Sequence, residues 1–262
     1  MTLLVILLGY FSLQAYAHAK MYESATLKLT QQQSAEKQAE FKLKALAETL
    51  SLGEYQNEKR IMREEITQEA KRAHMLAKEN TLYALGLLLV ILLGSLFGGL
   101  QIFTFFGGFA ALVVLYFGLF SPILMVTIHK EVEYIGDVVL SFESKSVIGS
   151  IVKLWDEGEI AVSLVILCFS VLVPVIKTLS LMFVAVVMKS RFAHGIVKFF
   201  KLIGKWSMVD VFVVATLLVY MTGNGSDVSR AQIQIGMYFF LAYVIVSMLV
   251  SIGADKMLEK ER

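Results

Sequence analysis

Two ionisable side chains lie inside stretches that are otherwise apolar enough for hydrocarbon. Lys177 sits in the run 160–188, and Asp210 sits near the start of the run 206–223. A charge held there costs roughly 2.5–3.5 kcal/mol on insertion scales, so such groups face a bundle interior, pair with one another, or line a path. The chemistry they can do is proton uptake and release coupled to helix movement. Helical spacing adds neighbours: Ser170, Pro174 and Lys177 fall on one face at steps of four and three, and Ser207 and Asp210 are three apart. Ser247 is the polar residue at comparable depth in the last apolar run. Pro174 cannot donate a backbone hydrogen bond, which frees a carbonyl and bends a helix one turn before the lysine. Three readings of Lys177 and Asp210 stay open: a structural ion pair, a titrating switch, or a lysine that snorkels to the interface.

These residues need a membrane around them, and the composition supplies one. The chain has 262 residues, of which 57% are hydrophobic, and a mean hydropathy of +0.69. Several runs approach the ~20 residues that cross a bilayer. A net charge of +2 gives no reason to expect a nucleic-acid partner. Cys168 is the sole cysteine, so an intrachain disulfide and a cysteine zinc site are excluded. The histidines, His18, His74, His129 and His194, are scattered outside the expected spans. No metal, no cofactor and no enzyme activity are expected, because no nucleophile–base or metal constellation is present.

The chain divides by material. Residues 1–17 are apolar and end Ala15-Tyr16-Ala17, which fits either a cleaved signal peptide or a retained N-terminal anchor. Residues 18–80 carry 11 Lys/Arg and 10 Asp/Glu. Their apolar residues recur at three- and four-residue steps (Ala39, Leu43, Leu46, Leu50, then Met62, Ile66, Ala70, Ala73, Ala77), the seam of a coiled-coil arm interrupted at Gly53. The spacing predicts an antiparallel hairpin within the arm, or one long helix pairing with another chain.

Residues 82–128 are almost continuously apolar. As one helix they would be ~70 Å long, over twice the hydrocarbon thickness. Two spans are expected, near 82–100 and 104–128, with Gly98, Gly99, Gly107 and Gly108 supplying the turn and Pro122 kinking or ending the second. Residues 129–159 are polar, and Val132 to Leu140 suggests a small two-stranded element. Three more spans follow near 160–188, 206–223 and 233–253, with Gly223-Asn224-Gly225 as a turn and 256–262 as a tail.

The connection 189–205 holds Lys189, Arg191, Lys198, Lys201 and Lys205 and no acid, which marks it as cytoplasmic. The loop 129–159, the connection 224–232 and the arm 18–80 then lie outside, and the C-terminus inside. Lys71, Arg72 and Lys78, beside a span on the outer side, run against that placement. Trp155 and Trp206 read as interface anchors.

Four strings carry a resemblance: Ser144 to Gly158, Ser170 to Lys177, Gly204-Lys205-Trp206-Ser207-Met208-Val209-Asp210 with the following Val211 to Val214, and Ser247-Met248-Leu249. In this order they resemble the paraquat-inducible protein A family (PqiA and LetA) over roughly residues 104–255. The resemblance implies an all-α polytopic protein of the inner membrane of Gram-negative bacteria. It would comprise a tetraspanin-like four-helix transmembrane unit with a small extracytoplasmic β element, here with an extra span at 81–103 and the N-terminal arm. It implies a polar network of Ser170, Lys177, Ser207, Asp210 and Ser247, membrane lipids as cargo, a periplasmic MCE-domain partner, and the proton gradient as the energy source. Family members of this type carry two such units and cysteine zinc ribbons. This sequence holds one unit and cannot make a ribbon, so a homo-oligomer or a second PqiA-like chain is a further expectation. The alternative is a non-transporting accessory subunit that recruits a partner through residues 18–80.

Overall fold

A computed structural model describes residues 1–32, 58–132, 136–186 and 229–260. Five helices among them are long and apolar enough to cross a membrane. Two long ones come first, α1 (Thr2–Gln32) and α2 (Glu58–Phe97). At about 1.5 Å per residue they measure ~46 Å and ~60 Å, against a hydrocarbon core of ~30 Å. Both therefore extend beyond any bilayer they cross.

They pack antiparallel along one seam. On α1 the buried positions are Val5, Leu8, Ser12, Ala15, Ala19 and Ala25; on α2 they are Ala70, Ala73, Ala77, Thr81, Ala84, Leu88, Ile91 and Ser95. Steps of three and four keep such a stripe facing its partner, and the alanines let the two backbones approach closely. This changes the expected arm. Ala70, Ala73 and Ala77 do form a seam, but their partner is α1, which runs unbroken through residues 1–17 and 18–32. Met62 is 56% exposed and lies off the seam. Ala39, Leu43, Leu46, Leu50 and Gly53 lie outside the described residues.

Gly98 and Gly99 turn the chain from α2 into α3 (Leu100–Phe120), with Gly99 at φ +97°, a backbone state that favours glycine. Gly107 and Gly108 do not share in this turn. They lie inside α3, where a Cβ would stand 2.9 Å from Val250 and 2.6 Å from Met182. They let neighbouring helices close on α3, which is the hub of the bundle and touches α1, α2 and both later spans.

The helix ends at Phe120, ahead of Ser121 and Pro122, so the span expected to reach 128 is shorter. Residues Leu124–Val132 form strand β1 instead, because Val126, Thr127 and Ile128 favour the pleated state. Strand β2 (Gly136–Lys145) pairs antiparallel with β1 through a register shift at Ile128/His129. The sheet has a third strand, β3 (Ser229–Ile233), on the other edge of β1, in the order β2-β1-β3. The connection expected at 224–232 thus includes a strand; Gly223, Asn224 and Gly225 lie outside the described residues.

Between β2 and the next span lies α4 (Val147–Asp156), capped by Ser146, whose Oγ accepts from Gly149 N at 3.0 Å. Gly158, at φ +86°, turns the chain into α5 (Ile160–Val186), and β3 leads into α6 (Ile235–Lys260). The expected span 206–223 lies outside the described residues.

The ends of these elements sort onto two sides. One side holds the sheet, α4 and the charged half of the α1/α2 hairpin, joined where Tyr22 donates to Gln232 Oε1 at 3.2 Å. The opposite side holds Met1 (its Cε lies 3.4 Å from where a Gly94 Cβ would stand), the Gly98-Gly99 turn, and the end of α5, where Gln101 Nε2 donates to Ala185 O at 2.9 Å.

Candidate functional site

The buried stripe of α5 reads Pro174, Lys177, Thr178, Leu181, Val184 and Ala185. Helical spacing turns that stripe toward α3 and α6, the described helices that α5 packs against. Lys177 is 6% exposed, and it sits ~25 Å by helix rise from Ile160 at the sheet end. It lies nearer the other end, ~14 Å by helix rise from Val186, and its side chain is buried within the bundle. Among the described residues none accepts a hydrogen bond from Lys177 or forms an ion pair with it.

Local backbone geometry fixes how this stripe is presented. In a regular α-helix the Pro174 ring would strike the Ser170 carbonyl. Here residues Leu167–Leu172 form a π-helical turn, and Val173 N reaches back five residues to Cys168 O. The wider turn accommodates the proline and rotates the second half of α5 relative to the first. Single π turns of this kind recur at functional sites. Ser170 lies within the turn and is half-buried.

A network of hydroxyls closes over the adjacent carbonyl. Thr178 Oγ1 donates to Pro174 O at 2.9 Å, and Tyr243 Oη of α6 donates to the same oxygen at 3.0 Å. The two hydroxyl oxygens are 3.1 Å apart. Ser247, one turn after Tyr243 on α6, is buried on the same face of that helix. Thr178, Tyr243 and Ser247 are all buried. Three polar groups on two helices, Pro174 O, Thr178 and Tyr243, thus satisfy one another beside Lys177, in surroundings where an unmet hydroxyl would be costly.

The structure therefore brings together Pro174, Lys177 and Ser247 of the residues expected from sequence, with Ser170 at the edge. Ser207, Asp210 and Trp206 lie outside the described residues. Trp155 is 54% exposed on α4, away from this cluster. Thr178 and Tyr243 are additions that sequence reasoning misses. Their signals are Thr178 four residues after Pro174, and Tyr243 four before Ser247, since i, i+4 pairs share a face. Tyr243→Phe deletes one hydrogen bond and leaves the rest of the ring. A loss of about 1 kcal/mol is expected, read as a small fall in the melting temperature of the purified chain. An unchanged melting temperature would mean that this bond adds nothing to the packing of α5 on α6.

Comparison with known proteins matches the region that carries this site. Residues 104–258 match the family described as Paraquat-inducible protein A. The proteins named "Intermembrane transport protein PqiA" from Escherichia coli (strain K12) and Shigella flexneri are each 29% identical over 136 residues, covering 49% of this chain and 32% of theirs. The chain thus spans about a third of the length of the curated relatives it matches. No solved structure matches. The family match takes in α3, the sheet, α5 and α6, and with them every residue of the polar cluster. The chain is a multi-pass membrane protein of the paraquat-inducible protein A family.

Proposed function

We propose that this chain moves phospholipid or a similar amphiphile between the bacterial inner membrane and a periplasmic partner of the MCE type. The observation that carries this reading is a lysine buried in a membrane bundle, beside a π turn and a hydroxyl network that joins two helices. A group so placed changes helix packing when its charge or its partner changes. Proton movement through Lys177 and Asp210 would supply the drive. The names of the relatives, intermembrane transport proteins, support the transport class. The basic connection 189–205 supports an orientation with the sheet and the arm toward the periplasm and the C-terminus toward the cytoplasm.

The decisive experiment is exchange of a fluorescent phospholipid between proteoliposomes holding the full chain and acceptor vesicles, with and without an imposed pH gradient. Exchange above that of protein-free vesicles, raised by the gradient, is expected. Exchange equal to that of protein-free vesicles under both conditions would overturn the proposal.

A second reading, the accessory subunit, draws support from the arm lying against the sheet through Tyr22 and Gln232. Removing residues 33–57 and closing the hairpin with a short linker separates the two. A transporter retains its exchange, whereas a recruiter loses its partner in pull-downs from native membranes.

A further inference from the structure

A second polar site lies outside the bundle, at the membrane boundary. Strand β2 and helix α4 border an open groove of about 550 Å³ whose lining includes Glu143, Ser144, Lys145, Ser150, Lys153 and Glu157. Its charges alternate. Lys145 Nζ lies 3.2 Å from Glu143 Oε2, Lys153 Nζ lies 3.2 Å from Glu143 Oε1, and Lys153 Nζ lies 3.9 Å from Glu157 Oε1. All four side chains are about half exposed. Ion pairs in that setting contribute little to folding, so a ligand can replace them at small cost.

The position of α4 indicates where such a ligand comes from. Its outer face carries Val152 and Trp155, 52% and 54% exposed. One turn on, Ile160 and Val162 continue the exposed apolar surface as α5 enters its spanning length. A short helix that buries Ile151, presents Val152 and Trp155 outward on one side and its charges toward β2 on the other, and joins directly to a span, suits the plane of the membrane interface. In that placement the groove between α4 and β2 opens at the depth of the lipid headgroups.

We propose that this groove seats the headgroup of a zwitterionic, amine-bearing phospholipid, with Lys145 and Lys153 on the phosphodiester and Glu143 and Glu157 on the ammonium. The charge pattern selects among headgroups. Two lysines alone would favour any anionic lipid, but two carboxylates interleaved with them repel a net negative charge. A choline headgroup matches the net charge yet has no N–H to donate to a carboxylate. A primary ammonium donates up to three hydrogen bonds and suits both glutamates. The Ser144 hydroxyl remains to donate to an ester oxygen, while Ser150 Oγ already donates to Ser146 O at 2.9 Å. The inference rests on the embedding of α5 in a membrane and not on the transport reading, so either can fail alone.

The test reads lipid retention. The full chain is placed in nanodiscs of phosphatidylcholine with a minor fraction of phosphatidylethanolamine or phosphatidylglycerol. It is then released into mild detergent and weighed by native mass spectrometry. Phosphatidylethanolamine is expected to be retained about tenfold over both other lipids, a difference of one decade in affinity. Lys145→Ala with Lys153→Ala should abolish that preference, and Glu143→Lys should shift it toward phosphatidylglycerol. These positions are exposed, and the wild-type selectivity needs no variant at all. Equal retention of the three lipids by the wild type would overturn the proposal, as would a preference that survives the double variant. Glycerophosphoethanolamine, the free headgroup, distinguishes the source. Competition with the lipid supports the site, whereas binding of the soluble compound with no retention of the lipid would reassign it to a solute.

Discussion

Lys177→Met abolishes lipid exchange, cutting it at least about tenfold, while the purified protein melts at the same temperature or higher. Methionine matches the lysine stem in length and fills the same space, so packing around Leu181 and Val184 is kept. What changes is the charge. Removing an ammonium from the bundle interior relieves a cost of roughly 2.5–3.5 kcal/mol, which favours the folded state. The pairing of the two readouts separates the three meanings of this lysine. If it is half of a structural ion pair with Asp210, the variant leaves a lone carboxylate and is destabilised by about 3–5 kcal/mol. If it snorkels without a role, both stability and exchange are unchanged. Only loss of exchange with stability retained identifies a group whose charge drives the cycle. Lipid exchange and thermal unfolding in the same detergent decide among them.

Gly236→Ala prevents folding of the transmembrane unit. A Cβ at this position would stand 2.6 Å from Ser121 O and 2.7 Å from Pro122 O, both backbone atoms. A flexible side chain can step aside, but a backbone cannot do so without loss. Gly236 N donates to Pro122 O at 2.9 Å, and Gln234 N donates to Ile123 O at 2.9 Å. Relieving the clash pulls those bonds apart where β1, β3, α3 and α6 meet. Overpacking of this kind costs about 1–3 kcal/mol in cores that can adjust and more in those that cannot. Loss of the monodisperse species on size exclusion is expected. Gly9→Ala, with no atom within 4 Å of its Cβ, is the control; it should fold as well as the wild type or slightly better, since alanine favours a helix by about 1 kcal/mol. Folding of Gly236→Ala in the same yield would show that the α3–α6 junction yields more than its hydrogen bonds suggest.

The spans are legible in the sequence because hydrocarbon imposes a length and a composition that the residues declare one by one. Lys177 stands out for the same reason, as an exception to that rule. Tyr243 and Thr178 do not, because tyrosine and threonine are unremarkable in spans, and what joins them is the Pro174 carbonyl, which lies on the helix of Thr178 and across from that of Tyr243. The partner of Ala70, Ala73 and Ala77 is hidden for a related cause. An alanine stripe states that something small and close lies opposite, without saying which segment supplies it. Strand β3 is invisible in Ser229-Arg230-Ala231-Gln232-Ile233, which has little alternation of its own and is made a strand by pairing with β1. Gly107 and Gly108 suggest a turn because glycine serves both turns and close helix contacts, and only the neighbours distinguish the two uses.

The pairing of β1 with β3 also orders the birth of the molecule. Leu124 meets Ile233 across 109 positions of chain, so the sheet cannot be completed when its first two strands leave the insertion machinery. The β1–β2 hairpin must wait with one edge of β1 unpaired while residues 146–228 are synthesised and inserted, and an open edge is a template for the wrong strand. Closing so distant a contact is slow. During that interval a folding chaperone, or the arm already standing on the same side through α1, is best placed to shield the waiting edge. A nascent chain arrested before residue 229 should therefore be cleaved at β1 by an added protease far faster than the finished protein.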